Sequence, residues 1–335
     1  MPHIAVTPTP LQSEDAILEH IALHFPNTGK DVLLGRGDDC AVLKSESPLC
    51  VSTDLFMEDV HFRRSYFSPW DIGWKALAVN LSDLAACGAR PSGFTAGISL
   101  PSDADMELVD GLCEGMAHLA AQAQVPLVGG DLSRAERLHL CITVFGQTDT
   151  PLLRNTALPD DAVFLIGETG LARTGLQLLE KRGRSACSEF PVPCAAHLHP
   201  VPRLAEGMIL ASLAARWKAE KTSAARIGLM DLSDGLARDL PRLLGKRGAS
   251  LSLPDPHPSI VQLMRERGKA DPEKAARLQC LLGGEDYALI GTCPKYLVEK
   301  IHESIPETVF LGSVTDNGDI LVDNCPLCGG FDHFG

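Results

Sequence analysis

The composition of the 335-residue chain, with 45% hydrophobic and 22% charged residues, is typical of a globular protein of about two domains. Its formal net charge of −13, without any Lys- or Arg-rich block, argues against nucleic acid as the main partner. No apolar run approaches the roughly 20 residues that span a membrane, no secretory signal is visible, and the eleven scattered cysteines fit reduced thiols, so we expect a cytoplasmic protein without a membrane partner.

The first half of the chain predicts alternating strands and helices. Ser68, Pro69 and Asp71 form a capping pattern that begins a helix, whose apolar period ends near Gly88. The other predicted elements of this half are extended segments at 32–43 and 49–56, a strand at 93–100, a helix at 103–124, a strand at 125–131 that ends in a tight turn, and a strand at 138–147.

The second half continues the alternation after a polar, proline-bearing stretch at 148–160. We place the domain boundary in this stretch, which gives domains at 1–149 and 150–335. The predicted elements are strands at 162–168, 226–232, 249–254 and 285–292, helices at 171–182, 203–219, 234–245, 258–267, 272–282 and 294–303, a loose Pro-, His- and Cys-bearing stretch at 184–202, and terminal strands. Because strands and helices alternate in both halves, we predict a mixed α/β fold.

Six short motifs place acidic residues beside glycine or hydroxyl residues and next to apolar runs. They are Asp38 and Asp39 in GRGDDCAVL, Asp54 in VSTDLF, Asp83 in VNLSDLAACG, Asp131 in LVGGD, Asp231 and Asp234 in MDLSDGL, and Glu285 and Asp286 in GGEDYAL. Taken singly, each acid has an ordinary interpretation as a helix cap or a turn residue. Asp83 fits that interpretation poorly, because a carboxylate near a helix C-terminus is disfavoured by the helix dipole unless a cation is present.

If these acids converge, their mutual repulsion must be relieved by protonation or by cations. Hard divalent cations suit the pattern better, because carboxylate and hydroxyl oxygens and water are the ligands that Mg²⁺ prefers. No Cys/His spacing in the chain indicates zinc, and the GxxxxG of residues 167–175 lacks the Lys-Ser/Thr that a P-loop needs. Mg²⁺ held by aspartates commonly takes further ligands from a polyphosphate, so the motifs predict nucleotide chemistry without a P-loop.

Eight motifs follow one another from about residue 30 to the C-terminus. They are GDDCAVL, STDLFMEDVHF, WKALAVNLSDLAACGARP, LVGGD, HPVPR, MDLSDGLARDL, GGEDYAL and GFDHF. In their order and spacing they resemble the motifs of the thiamine-monophosphate kinase family. The family belongs to the aminoimidazole-ribonucleotide-synthetase-like superfamily. The resemblance therefore implies a two-domain α/β fold that forms a homodimer through a barrel of N-terminal strands. It also implies the Mg²⁺-dependent reaction of ATP with thiamine monophosphate, by direct in-line transfer, to thiamine diphosphate.

The resemblance also assigns roles to individual residues, with the first domain binding ATP and Mg²⁺ and the second completing the active site. The implied metal ligands are Asp39, Ser52, Thr53, Asp54, Asp83, Asp131, Asp231 and Asp234. The implied ATP contacts are Gly130, Asp131, Arg154 and Ser233, and the implied substrate contacts are His61, Glu285 and Cys328. The residues expected to carry catalysis, by positioning and by neutralising charge, are Asp54, Asp83, Asp131, Arg154 and Asp231.

Two departures from the family pattern are visible. Cys328 stands where the family usually carries an aromatic residue that stacks on the substrate, and Asp160 replaces the glycine of a Pro-Gly-Asp turn at the start of the second domain. The stretch 184–200 is also atypical, and the sequence assigns it no role.

Two alternatives to the kinase remain open. The first is another ATP-dependent synthetase of the same superfamily, although residues 1–37 lack the cysteine of a selenophosphate synthetase and the chain ends in Gly335 rather than the cysteine of a hydrogenase-maturation protein. A purine-pathway synthetase also remains open, but HPVPR and GFDHF favour the kinase. The second is a nucleotide-binding regulator without turnover, which Cys328 alone suggests.

Overall fold

The computed structural model describes residues 14–34, 42–220 and 226–327. The chain divides into two compact units, the first made of Met1–Asn80 and Pro91–Gln147, and the second of Leu81–Arg90 and Thr148–Gly335. The second unit thus includes residues 81–90, which the sequence-based boundary assigns to the first domain. Among the described helices, none combines the length and apolar character that crossing a membrane requires.

The elements up to residue 147 build a four-stranded sheet with helices. They are α1 (Glu14–His24), β1 (Val32–Leu34), β2 (Val42–Leu43), β3 (Leu49–Met57), α2 (Pro69–Ala86), β4 (Arg90–Leu100), α3 (Met106–Ala123), β5 (Leu127–Arg134) and β6 (His139–Gln147). The sheet has the order β3-β6-β4-β5, in which β3 is antiparallel to β6 and β4 is parallel to β5. Strands β1 and β2 pair separately as an antiparallel ribbon.

The elements after residue 147 build a seven-stranded sheet with helices. They are β7 (Ala162–Ile166), α4 (Leu171–Arg182), α5 (Ala186–Glu189), α6 (Pro191–Leu198), α7 (Leu204–Glu220), β8 (Gly228–Asp231), α8 (Leu236–Leu244), β9 (Gly248–Leu251), α9 (Pro258–Glu266), α10 (Pro272–Leu282), β10 (Leu289–Cys293), α11 (Val298–Ser304), β11 (Val309–Thr315), β12 (Ile320–Val322) and β13 (Cys325–Pro326). The sheet order is β13-β12-β9-β11-β7-β10-β8, and only the pair β12 and β9 is parallel among these described strands. The predicted mixed α/β class is confirmed.

Helix α2 begins where the capping pattern predicts. The Asp71 carboxylate accepts hydrogen bonds from the backbone N–H of Ser68 and from its hydroxyl, both at 2.7 Å, while the Asp71 N–H donates to the Ser68 Oγ at 3.2 Å. This reciprocal pair satisfies backbone groups that the first turn of a helix leaves without partners. The helix therefore starts at a point that its own sequence encodes.

The last turn of α2 belongs to the core of the second unit. Ala85 and Ala86 are buried in one cluster with Phe164, Leu210 and Leu289. Apolar area removed from water in this cluster stabilises the attachment by roughly 25 cal/mol per Å². Packing of these two alanines explains why residues 81–90 belong to the second unit, although no composition change marks them in the sequence.

Two sequence-based expectations about elements are wrong, and one helix has no predicted counterpart. Residues 184–202, expected as a loose stretch, contain α5 and α6. The strand expected at 285–292 begins only at Leu289, because Glu285 and Tyr287 have positive φ angles of 65° and 49°, which interrupt an extended strand. Helix α1 was not predicted at all.

Strand β5 also continues where a tight turn was expected. Gly130 pairs with Ala96 and Asp131 pairs with Gly97 in the parallel register with β4. A Cβ atom at Gly130 would lie 2.2 Å from the Ala96 carbonyl oxygen, so glycine is required by the approach of the neighbouring strand and not by a turn. A single sequence motif cannot distinguish these two uses of glycine.

The close approach of β4 at Gly130 predicts that alanine substitutions at Gly129 and Gly130 differ in their effect on stability. We expect Gly130→Ala to destabilise the protein by about 1–3 kcal/mol, since the new methyl group overlaps a backbone oxygen. At Gly129 the added Cβ would meet nothing closer than the Thr95 Cγ2 at 3.6 Å, so Gly129→Ala is the matched control. Thermal unfolding of both variants would measure the difference, and equal midpoints would contradict the described register of β4 and β5.

Candidate functional site

The MDLSDG motif forms the junction between a buried strand and a helix in the second unit. Asp231 is the last residue of β8 and only 3% exposed, and Ser233 and Asp234 follow in the turn before α8. Gly235 has a φ of 96°, and a Cβ there would lie 2.4 Å from the Gly283 carbonyl oxygen. Glycine at this position therefore lets a second loop, the GGED loop of residues 283–286, pack directly on the turn.

Backbone hydrogen bonds hold the GGED loop against the MDLSDG turn. The Glu285 N–H donates to the Ser233 carbonyl at 2.7 Å, and the Tyr287 N–H donates to the Leu232 carbonyl at 2.9 Å. Two motifs that lie about fifty residues apart in the sequence thus become neighbours. The predicted ATP contact Ser233 and the predicted substrate contact Glu285 are brought together at this junction.

Asp231 carries the clearest sign of a functional carboxylate in the second unit. The Ser82 hydroxyl donates a hydrogen bond to its Oδ2 atom at 2.8 Å. Burial, followed by repulsion from the neighbouring Asp83, raises the pKa of Asp231 to about 7, while the Ser82 hydrogen bond and Arg154 oppose this rise. The structure therefore places both Asp83 and Arg154 within electrostatic reach of Asp231.

The position of Asp83 adds to this unfavourable concentration of negative charge. Asp83 lies in the last turn of α2, which contains no basic residue, and the helix dipole disfavours a carboxylate there. Two adjacent carboxylates, one of them buried and held by a hydroxyl, are a donor set that suits a hard divalent cation. The residues present in the second unit thus fit Mg²⁺.

Asp234 has a different environment from Asp231. Its Oδ2 atom accepts a hydrogen bond from Arg242 Nη1 at 2.6 Å and lies 3.6 Å from Arg238 Nε. Its backbone N–H donates to the carboxylate of the buried Asp239 at 2.9 Å. A cation at Asp234 would have to compete with Arg242, so the metal role implied for Asp234 has no support from its contacts. The residue is not a side-chain helix cap either, because α8 has Gly235 at that position.

Asp286 serves as the anchor of the GGED loop. Its carboxylate accepts hydrogen bonds from the backbone N–H groups of Gly170 at 2.7 Å and Ala172 at 3.0 Å, at the start of α4. The residue as a whole is half-buried, but its carboxyl group is enclosed, and burial raises its pKa to about 7 against the effect of these two donors. Asp286 therefore satisfies a helix N-terminus, and this leaves Glu285 as the acid of the loop with a role still to be explained.

Glu285 has a buried partner that the sequence did not suggest. The His197 side chain is 1% exposed, and its Nδ1 atom lies 3.1 Å from the Glu285 Oε2 atom. His197 belongs to α6, within the stretch 184–200 that has no role in the sequence analysis. A histidine on the buried side of an otherwise apolar helix was the one available signal, and it became informative only with the fold.

The predicted ligands on β3 lie on opposite faces of their strand. Successive side chains of a strand alternate, so Ser52 and Asp54 share one face and Thr53 points to the other. The Thr53 hydroxyl donates to the Ile142 carbonyl at 3.0 Å and accepts from the Thr143 hydroxyl at 2.9 Å. Thr53 and Asp54 therefore point to different faces of β3, and the metal role that the resemblance implies for Thr53 stays a prediction.

The other predicted site residues that the structure describes in the first unit lie on β3, on β5 and in the turn after β3. The Asp54 backbone N–H donates to the side chain of the buried Asn80 at 3.0 Å, and Asp131 and Gly130 are exposed on β5. The His61 Nδ1 atom accepts a hydrogen bond from the Met57 N–H at 3.1 Å, so its ring helps to close the turn after β3. Asp39 and Cys328 lie outside the described residues.

Within either unit, the described members of the predicted metal-ligand set do not form a group of three with closely spaced ligand atoms. In the described ranges, the one group of three His, Cys, Asp or Glu residues with ligand atoms all within 4.8 Å of one another is His20, His24 and Asp110, in the first unit. None of these three residues was predicted. In the second unit, pairwise electrostatic proximity, and not a finished ligand shell, is what the structure shows for Asp83 and Asp231.

Comparison with known proteins gives three informative similarities. A thiamine-monophosphate kinase of Bacillus subtilis (strain 168) is 34% identical over 266 residues, which cover 77% of this chain and 77% of that protein. A crystal structure of a thiamine-monophosphate kinase from Stenotrophomonas maltophilia K279a has a TM-score of 0.77 and 31% identity, and covers 93% of this chain and 97% of that one. A structure of AaThiL complexed with AMPPCP and TMP has a TM-score of 0.73 and 27% identity, and covers 96% of this chain and 97% of that one.

A family model agrees with these similarities in the first part of the chain. The model for the N-terminal domain of AIR synthase related proteins matches residues 37–148. The match includes the segments that carry Asp54, Asp83 and Asp131. The fold expected from the sequence motifs is thereby confirmed.

The environment of Asp231 predicts a stability gain on removing its charge. The carboxyl has a pKa near 4 in the unfolded chain and about 7 in the folded protein, so the folded state binds more protons between these values and loses stability as pH rises from about 4 to 7. Asp231→Asn keeps an acceptor for Ser82 but cannot ionise. In metal-free buffer we expect the variant to exceed the wild type in stability by about 2 kcal/mol at pH 8 and by little at pH 5.

Thermal unfolding in EDTA at pH 5 and pH 8 would measure this difference. The exposed Asp149, in the same unit, provides the control Asp149→Asn. A gain that is the same at both pH values, or absent at pH 8, would contradict the described environment of Asp231.

Proposed function

The chain belongs to the thiamine-monophosphate kinase family, and from this we infer that it transfers the γ-phosphoryl group of ATP to thiamine monophosphate, giving ADP and thiamine diphosphate. Relatives with this activity in their names match most of the chain, and a relative's structure holds AMPPCP and TMP. The observation in this chain that carries the proposal is the buried Asp231 beside Asp83 and Arg154, next to the turn that bears Ser233.

Mg²⁺ is part of this proposal. Asp83 and Asp231 would hold the ion, and the Ser82 hydroxyl would orient the Asp231 carboxylate through its hydrogen bond. When bound, Mg²⁺ would supply the positive charge that offsets the phosphate oxygens. The other predicted ligands from the family resemblance stay predictions, namely Asp39, Ser52, Thr53, Asp54, Asp131 and Asp234.

The reaction requires mainly that the protein position the two reacting phosphate groups. The attacking group is a phosphate oxygen of thiamine monophosphate, which is already ionised at neutral pH, so no strong general base is needed. Arg154 is exposed, and its planar guanidinium can donate two parallel hydrogen bonds to a phosphate. Holding the two phosphates in line is the contribution expected of the chain's own residues.

Glu285 suits the organic part of this substrate. Thiamine carries a cationic ring and an amino group, and a carboxylate is complementary to both. The contact with His197 and the hydrogen bond to Ser233 fix the position of Glu285 at the edge of the MDLSDG turn. We therefore assign His197 a positioning role through Glu285.

A homodimer is proposed from the surface of the first unit. Strand β3 lies at one edge of the four-stranded sheet and presents three apolar side chains on one face, Leu49, Val51 and Leu55, each at least half exposed. Apolar side chains in a row on a strand commonly mark a protein interface.

The cytoplasmic location expected from the sequence also stays part of the proposal.

The activity is tested by incubating the full chain with ATP, Mg²⁺ and thiamine monophosphate. We expect thiamine diphosphate and ADP in equal amounts, and we expect Asp83→Asn to lower kcat by at least about 100-fold without lowering the unfolding temperature. Asp149→Asn is again the control. Tight ATP binding without product would favour the nucleotide-binding regulator, and near-normal turnover of Asp83→Asn would remove Asp83 from the metal site.

The role of His197 is tested by a double-mutant cycle with Glu285. A hydrogen bond to a charged group is worth about 1.5–3 kcal/mol, so we expect His197→Phe and Glu285→Gln each to raise the KM for thiamine monophosphate by about tenfold or more. The KM for ATP should change by less than about twofold, because the contact lies on the substrate side. The double variant should be no worse than the more severe single one. Additive effects in the cycle would show that His197 does not act through Glu285.

A further inference from the structure

Two helices of the first unit bring three metal-ligating side chains together. His20 and His24 lie four residues apart on α1 and therefore on the same helix face. Both Nε2 atoms contact a single oxygen, the Oδ1 atom of Asp110 on α3, at 2.8 Å and 2.7 Å. The two imidazole rings are 5.4 Å apart at an angle of 63°. None of these residues has a part in the function proposed above.

The helix that carries the two histidines is packed on the unit. Ile17 on α1 is 5% exposed, and Phe25, directly after the helix, is 3% exposed and contacts the ring of Phe94. The histidines themselves are half-buried, with side-chain exposures of 29% for His20 and 18% for His24. The three side chains are thus held near one another by the fold, yet solvent and ions can reach them.

The donor set favours a transition metal over Mg²⁺. Two imidazole nitrogens with one carboxylate oxygen are typical ligands of Zn²⁺, Co²⁺ or Ni²⁺, whereas Mg²⁺ prefers oxygen ligands alone. The Asp110 carboxylate, which both histidines contact, supplies the negatively charged oxygen of this donor set. Tetrahedral zinc would hold its ligand atoms about 3.3 Å apart, so each of the two His–Asp contacts must open by about half an ångström.

We propose that His20, His24 and Asp110 form a binding site for a divalent transition-metal ion, with Zn²⁺ as the most suitable ion, that fastens α1 to α3. Without the ion, both histidines donate N–H groups to Asp110. With it, the same three atoms coordinate the metal, and solvent provides the remaining ligand. The ion binds only when both helices are in place, so it stabilises the docked α1.

Cobalt(II) is the probe that tests this site. Untagged full-length protein, treated with EDTA and dialysed, is titrated with Co²⁺ while visible absorption and calorimetry are recorded under reducing conditions. We expect one Co²⁺ per chain with the absorption of a nitrogen- and oxygen-ligated ion, displaced by Zn²⁺. We expect His20→Gln and Asp110→Asn each to weaken binding by at least about 100-fold, while His302→Gln, at an exposed histidine of the second unit, leaves it unchanged.

Thermal unfolding gives a second readout. Zn²⁺ should raise the unfolding temperature of the wild type and of His302→Gln by at least about 2 °C, and should leave His20→Gln unchanged. Absence of Co²⁺ binding, thiolate-to-cobalt absorption from cysteines, or equal binding by His20→Gln would overturn the proposal. Kinase activity with Mg²⁺ is measured in parallel, and because the site does not depend on the proposed function, the failure of one leaves the other standing.

Discussion

The second unit depends on one costly interaction, the burial of Asp231 beside Asp83. A buried carboxylate next to another acid is unfavourable unless a proton or a cation compensates it. Two contacts nevertheless stabilise this arrangement. The Ser82 hydroxyl donates a hydrogen bond to the Asp231 carboxylate, and Ala85 and Ala86 pack the end of α2, which carries Ser82 and Asp83, into the core. Proteins keep such destabilising charges at functional sites. The Asp231 carboxylate lowers the stability of the metal-free protein, but it can coordinate a cation.

The loops around Asp231 divide the acids into structural and functional groups. Asp286 satisfies the start of α4 and thereby fixes the GGED loop, and Asp239 and Arg242 hold Asp234 in an ion-pair network. The contacts of these acids hold the loops around Asp231 in place. Glu285 lies at the junction of the two loops and contacts the buried His197.

Local signals in the sequence were sufficient where a structure depends on neighbouring residues. The capping pattern at Ser68 predicted the start of α2, because both partners of the hydrogen bonds lie within four residues. Long-range contacts decided the rest. The sequence indicates a turn at Gly130, but the close approach of β4 explains the glycine. His197 has the pattern of a core residue, and only the fold brings it to Glu285. Likewise, the sequence does not show that Arg242 contacts the Asp234 carboxylate. The pairing of His20 with Asp110 across two helices was equally invisible, although the four-residue spacing of the histidines was present in the sequence.

A crystal structure of the protein with Mn²⁺ in place of Mg²⁺, together with AMPPCP and thiamine monophosphate, would test most directly whether Asp83 and Asp231 hold the metal ion. Anomalous scattering locates the metal without reference to any assumed site. We expect a Mn²⁺ ion within about 2.2 Å of carboxylate oxygens of both Asp83 and Asp231. An ordered nucleotide and metal with neither carboxylate in the coordination sphere would contradict this metal site.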